Sequence, residues 1–294
     1  MGAGLNVFRK EEMNIIDPHI HMYSRTTDDY HRMYEAGIRA VVEPSFWLGS
    51  NRRFAGTFFD YFRHMLEFEP MRAARFGIDH YACIAMNPKE AIFTELANEV
   101  IDGLEPYLDH PRCIALGEVG FNLINKEEED VMMRQLDIAK RKNMIVMVHS
   151  PHNTPTVSKR KGVERTIAIL KEMNCDPQKI LMDHNTEETV ALTRNAGIWC
   201  GMSVYPYSKL TPERVVGILK SFGTEQMMAN SAADWGVADP CSMLRVAEAM
   251  KAAGFTTEQI EKLLFHNPLD FFKQSGRFNP QLDIPFVHPS TYQR

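Results

Sequence analysis

Short apolar runs alternate along this chain with longer polar segments of helical period. The runs cover 14–21, 39–46, 78–86, 112–119, 144–149, 179–184, 198–204 and 226–231. Each is bounded by Gly, Pro, Asn or charged residues, the pattern of buried parallel strands. Between them, segments 27–36, 52–74, 89–108, 127–142, 162–173, 187–195, 212–221 and 242–252 carry the helical period. Eight β-then-α units in 294 residues predict a closed (β/α)8 TIM barrel over about 14–255. An open doubly wound sheet is the competing arrangement, but no Gly-x-Gly-x-x-Gly follows the first strand. Residues 256–273 read as a terminal helix pair broken at His266-Asn267-Pro268, and 276–294 as an extended tail packed on the barrel or partly disordered. With no repeat, linker or low-complexity tract, 1–294 reads as a single domain.

Composition narrows the class without naming a chemistry. At 44% hydrophobic and 24% charged residues, the chain has a globular composition, and no apolar run approaches a membrane span. Met1 to Lys10 lacks the apolar core of a secretory signal, and Asn6 stands where myristoylation requires Ser or Thr. Cys83, Cys113, Cys175, Cys200 and Cys241 are scattered and form no CxxC, which predicts buried thiols in a reducing cytoplasm. A net charge of −5 argues against broad affinity for nucleic acid.

The chemistry sits where the predicted strands end. Asp17-Pro18-His19-Ile20-His21 closes the first run, and strand alternation would send His19 and His21 to one face. Glu118 stands in Gly117-Glu118-Val119-Gly120 at the end of the fourth strand. His149 ends the fifth, His184 the sixth, and Asp234 follows the eighth. In a (β/α)8 barrel these ends share one mouth, the face that carries active sites. Four histidines and two carboxylates converging there suit two divalent cations sharing Glu118, with zinc first and manganese, magnesium or nickel as alternatives. His31, His64, His80 and His110 fall in or beside helices and loops, and His288 in the tail. These five are expected to be structural or solvated.

The order His-x-His, Gly-Glu-x-Gly, His, His, Asp resembles the TatD-like metal-dependent hydrolases of the amidohydrolase superfamily, over residues 14–273. The ending Phe265-His266-Asn267-Pro268 through Phe271-Phe272 is similar to that family's closing motif. The resemblance implies one metal on His19, His21, Glu118 and Asp234 and a second on Glu118, His149 and His184. It also implies a bridging hydroxide as nucleophile, with Asp234 taking its proton. The family pattern departs at Phe121-Asn122, Ser150-Pro151-His152-Asn153 and Ala232-Ala233-Asp234-Trp235-Gly236. The metal-ligand residues therefore match while the substrate-facing ones differ.

Two loops carry candidate substrate contacts. Trp47, Arg52 and Arg53 follow the second strand, and His152 leads toward Lys159-Arg160-Lys161 after the fifth. Tyr205 and Trp235 complete a candidate aromatic wall over the metals. These features predict a cytoplasmic hydrolase that cleaves a phosphoester, amide or lactone bond of a small molecule. The alternatives are a deoxyribonuclease acting on DNA ends, disfavoured by the acidic charge and by Pro151 standing where the resemblance implies an arginine after Ser150, and a non-catalytic metal-binding scaffold.

Overall fold

A computed structural model describes residues 13–286. Eight parallel strands follow one another in sheet order: β1 (Ile15–Asp17), β2 (Ile38–Pro44), β3 (Asp79–Ile84), β4 (Cys113–Gly120), β5 (Val146–His149), β6 (Ile180–Asp183), β7 (Trp199–Ser203) and β8 (Met227–Asn230). All eight runs form strands, and the helices between them make this a (β/α)8 barrel. The seam between first and last strands is joined beyond their ends. Ala232 N donates to His19 O and His21 N donates to Ala233 O, each at 2.8 Å. Ser231 N also donates to the Asp17 carboxylate at 3.2 Å.

Alternation along each strand separates two cores. Inward-facing Ile16, Ala40, Val42, Cys83, Ala115, Met147, Leu181 and Met228 fill the barrel. Phe271, Phe272 and Phe278 join this cluster, Phe271 packing on Trp199 and Phe278 on Tyr81. Fully burying one such side chain is worth roughly 1.5–3 kcal/mol. Outward-facing Val41, Ile84, Leu116, Val148 and Met182 pack against the helical ring.

The helices begin where local chemistry permits. Asn125 caps the helix Lys126–Arg141 by accepting from Glu128 N, with three glutamates in the first turn and Lys140 and Arg141 in the last. Ser158 caps the helix Lys159–Glu172 by accepting from Lys161 N. The Glu128 carboxylate turns back and accepts from the backbone N of Asn122, Leu123 and Ile124, which pins the loop after β4.

Several expectations need correction. The first strand ends at Asp17, so His19 and His21 are placed by the seam hydrogen bonds and not by strand alternation. The expected break at His266-Asn267-Pro268 is absent. Thr257–Glu261, a π-turn at Lys262–His266 and Asn267–Lys273 run on as one helix. The same device joins Ala55–Arg63 through His64–Phe68 to Glu69–Ala74, just ahead of Pro70. A π-turn shifts the hydrogen-bond register, so it absorbs the proline's missing donor without ending the helix. His80 lies on β3, fully buried, with Nε2 2.8 Å from Glu43 Oε2. Cys175 and Cys241 are only half-buried, though all five cysteines are free. Residues 276–286 pack on the barrel, Arg277 donating to Leu108 O and Cys113 O. His288 and the end of the expected tail lie outside the described residues, as do Met1 to Lys10. Among the described residues no helix is long and apolar enough to cross a membrane.

Candidate metal centre

The C-terminal ends of the strands bring His19, Glu118, Asp183 and His184 together, with one potential ligand atom from each within 4.8 Å of the others. His19 Nε2 lies 3.1 Å from His21 Nε2 and 3.7 Å from Glu118 Oε2. The other Glu118 oxygen, Oε1, lies 3.2 Å from His184 Nε2 and 3.3 Å from His149 Nδ1. One carboxylate thus faces two groups of histidines. Both glycines of its motif stand where β5 approaches closely. A Cβ on Gly117 would meet Met147 Cβ at 2.8 Å, and one on Gly120, at φ +137°, would meet His149 O at 2.3 Å.

Supporting bonds set the ring tautomers. A carboxylate can only accept, so His19 Nδ1 donates to Asp183 Oδ2 and leaves its Nε2 lone pair toward the centre. Asp183 Oδ1 accepts from His184 N at 2.7 Å, Asn230 Nδ2 at 2.9 Å and Ser203 Oγ at 3.4 Å. With the Ser203 proton so committed, His184 Nδ1 donates to Ser203 Oγ at 2.6 Å and turns Nε2 toward Glu118. Asp183 was not singled out in the sequence. Its signal was available: inward-facing Leu181 puts Asp183 on the same face of β6 two residues later.

Burial opposes charge on every group here. It pushes the His149, His184 and His21 imidazoles below their ordinary range, with Lys209 adding repulsion at all three and His19 at His21, which falls to about 3. For His19, burial is outweighed by Glu118 and Asp183, so its pKa rises. Burial would also raise Glu118, but His19, His149 and His184 hold its carboxyl well below the usual carboxylate range.

The donor set fits a divalent cation. His19 and His21 turn two ring nitrogens toward each other beside an ionised carboxylate, and the buried His149 Nε2 has no hydrogen-bond partner. Neutral imidazole and carboxylate are the forms that ligate zinc, manganese or nickel.

The remaining sequence candidates divide. Asp234 is half-buried and outside the four-residue cluster, its Oδ1 accepting from Tyr205 OH at 2.8 Å and Gly236 N at 2.7 Å. His152 is beside the cluster, its ring 5.8 Å from that of His149 and stacked at 6.2 Å from that of His184. Trp47 and Trp235 meet edge to face at 5.5 Å, and Tyr23 adjoins Trp235. Arg52 is held elsewhere. Its Nε and a terminal nitrogen pair with the buried Glu90, and its guanidinium lies 3.5 Å from the Phe58 ring centre. Arg53 is exposed on a groove with Ile92, Phe93 and Leu96 that contains none of the histidines. Two further neighbours were missed: Phe46, stacked at 5.1 Å on His149, and Lys209, beside the Tyr205 ring in the loop after β7.

A family model described as TatD related DNase matches residues 16–273. The chain belongs to the TatD family. It is similar to an uncharacterized metal-dependent hydrolase of Methanocaldococcus jannaschii, 23% identical over 262 residues, or 88% of this chain and 100% of that one. Among solved structures, a TatD-like protein of Archaeoglobus fulgidus has a TM-score of 0.70 at 24% identity, covering 88% of this chain and 99% of that one. A phosphotriesterase homology protein from Escherichia coli, complexed with phosphate in its active site, has a TM-score of 0.62 at 17% identity, covering 90% and 100%. This TatD-family chain is an enzyme, a metal-dependent hydrolase.

Proposed function

We propose that this hydrolase cleaves a phosphoester, amide or lactone bond of a small molecule, with two divalent cations at the barrel mouth. His19, His21, Glu118 and Asp234 would hold one, and Glu118, His149 and His184 the other. The observation that carries this reading is the two-sided Glu118 carboxylate, with Oε2 toward His19 and Oε1 between His149 and His184. When bound, such cations supply a Lewis acid for the scissile oxygen and bring the ionisation of water toward neutral pH (~7).

The protein's own groups supply the rest. Asp234 Oδ1 is fixed by Tyr205 OH and Gly236 N, which leaves Oδ2 to accept the nucleophile's proton and pass it to the leaving group. Asp183 and Ser203 hold His19 and His184 in the ligating tautomer. Phe46, Trp47 and Trp235 form an aromatic rim that excludes water and favours a compact substrate. A nuclease acting on DNA ends is the second reading, favoured by the family description.

Elemental analysis after saturation with zinc, manganese, magnesium or nickel and desalting should give about two equivalents per chain. A screen of phosphoester, amide and lactone substrates beside single- and double-stranded DNA should then give turnover on a small molecule. Occupancy of zero with every cation rejects the metal assignment, one equivalent rejects the shared Glu118, and cleavage of DNA alone rejects the small-molecule reading.

A further inference from the structure

The loop after β7 carries a cation that the metal reading does not use. Tyr205–Leu210 is a tight turn, closed by Tyr205 N donating to Leu210 O at 3.1 Å and Lys209 N to Tyr205 O at 3.2 Å. It sets the Lys209 ammonium 5.1 Å from the Tyr205 ring centre, the same tyrosine that donates to Asp234. The positive charge of Lys209 acts on His19, His21, His149, His152 and His184 alike, and the carboxylates that favour it are Glu118, Asp183 and Asp234. The turn thus places this charge beside the tyrosine that holds Asp234, within electrostatic reach of the histidines. Among the described residues Lys209 Nζ has neither a hydrogen bond nor an ion pair.

The nearby cations are differently engaged. Lys159, at the start of the helix Lys159–Glu172 and 2% exposed, donates from Nζ to His184 O at 2.8 Å, and Lys209 repels it. Arg25 pairs with Asp29 and donates to Asp234 O, while Arg52 is held by Glu90. Among the described residues Lys209 thus has only the Tyr205 ring beside its ammonium and no counter-charge bonded to it, while Lys89 lies 3.6 Å from the Trp47 ring centre at the rim. Of the carboxylates it faces, Glu118 and Asp234 would ligate a divalent cation under the proposed function and Asp183 is engaged by His19, His184 and Asn230, so their charge is not available to it. An ammonium left half-buried in this way stabilises an anion that arrives with the substrate.

We propose that Lys209 is a specificity-determining residue that holds an anionic oxygen of the substrate, carried on a phosphate or carboxylate group beside the scissile bond. This rests on the metal-centre reading and selects within it. Substrates with a negative charge next to the cleaved bond are favoured over neutral lactones and esters. Lys159, beneath the same loops, adds to the positive field while bracing the His184 backbone.

The test is calorimetric titration of the metal-loaded protein with inorganic phosphate and, separately, acetate, for wild type, Lys209→Gln and Lys209→Arg, with metal content measured on each sample. Lys209→Gln should keep wild-type metal content and bind the preferred anion about tenfold or more weakly, the scale of one charge-assisted hydrogen bond. Lys209→Arg should restore most of that affinity. A loss confined to phosphate assigns a phosphoryl group, and one confined to acetate a carboxylate. Unchanged affinity in Lys209→Gln at full metal content overturns the role of the lysine alone. Wild type that takes up no metal refutes the metal centre, and this inference falls with it.

Discussion

Asp183→Asn tests whether a residue outside the sequence pattern governs the centre. The carboxylate is saturated as an acceptor: Oδ2 takes His19 Nδ1, while Oδ1 takes His184 N at 2.7 Å and Asn230 Nδ2 at 2.9 Å. An amide of the same shape has one accepting oxygen, so in either orientation its NH2 group faces a buried N–H. Leaving such a donor unsatisfied costs about 1–3 kcal/mol. The escape is for His19 to move its proton to Nε2, which surrenders the lone pair turned toward His21 and Glu118. By either route metal affinity should fall about 10–100-fold, the usual effect of removing a ligand's orienting partner. Competition titration against a chromophoric chelator measures this, and urea unfolding of the metal-free protein should show a loss of about 1–3 kcal/mol. A variant within twofold of wild type in metal affinity and equal in metal-free stability would refute the tautomer argument.

Three other outcomes follow from the same geometry. Glu118→Ala should lose both cations whereas His184→Ala loses chiefly one, and identical stoichiometry in the two by elemental analysis would defeat the proposed allocation. Asp234→Asn should keep most of its metal, because the amide keeps the shape and one ligating oxygen, yet lose about 10²-fold or more in kcat because the basic carboxylate is gone. Wild-type turnover in that variant would make Asp234 a loop residue and move proton transfer to His149, His152 or His184. Gly120→Ala, whose Cβ would sit 2.3 Å from His149 O at φ +137°, should lose roughly 2–4 kcal/mol in urea unfolding. A change under about 0.5 kcal/mol, the scale of a neutral surface substitution, would mean that β4 and β5 separate freely there.

What could be read along the chain was what local physics imposes. Apolar runs punctuated by Gly and Pro, alternating with helical periods, specify eight β-then-α units because each run must bury both faces and each helix one. Once the barrel is inferred, Glu118, His149 and His184 stand at strand ends, and that alone brings them to one mouth. The proline at 268 misled for a local reason: a missing donor predicts a break, but a helix packed on the barrel retains its burial energy and shifts into a π-turn instead, as the uninterrupted reading of 52–74 already allowed at Pro70. The rest depended on partners far away in sequence. His19 and His21 are aimed by hydrogen bonds across the seam to Ala232 and Ala233, and the tautomer of His19 by Asp183, 164 residues away. Arg52 is drawn away from the mouth by Glu90, 38 residues on, while Lys209 is left facing it unpaired. A charge or a ring nitrogen has no fixed role until its counter-charge and its hydrogen-bond acceptor are placed. Residue type and spacing carry the candidate ligands, but only the closed barrel decides which cation is neutralised, which is left without a counter-charge, and which nitrogen keeps its lone pair.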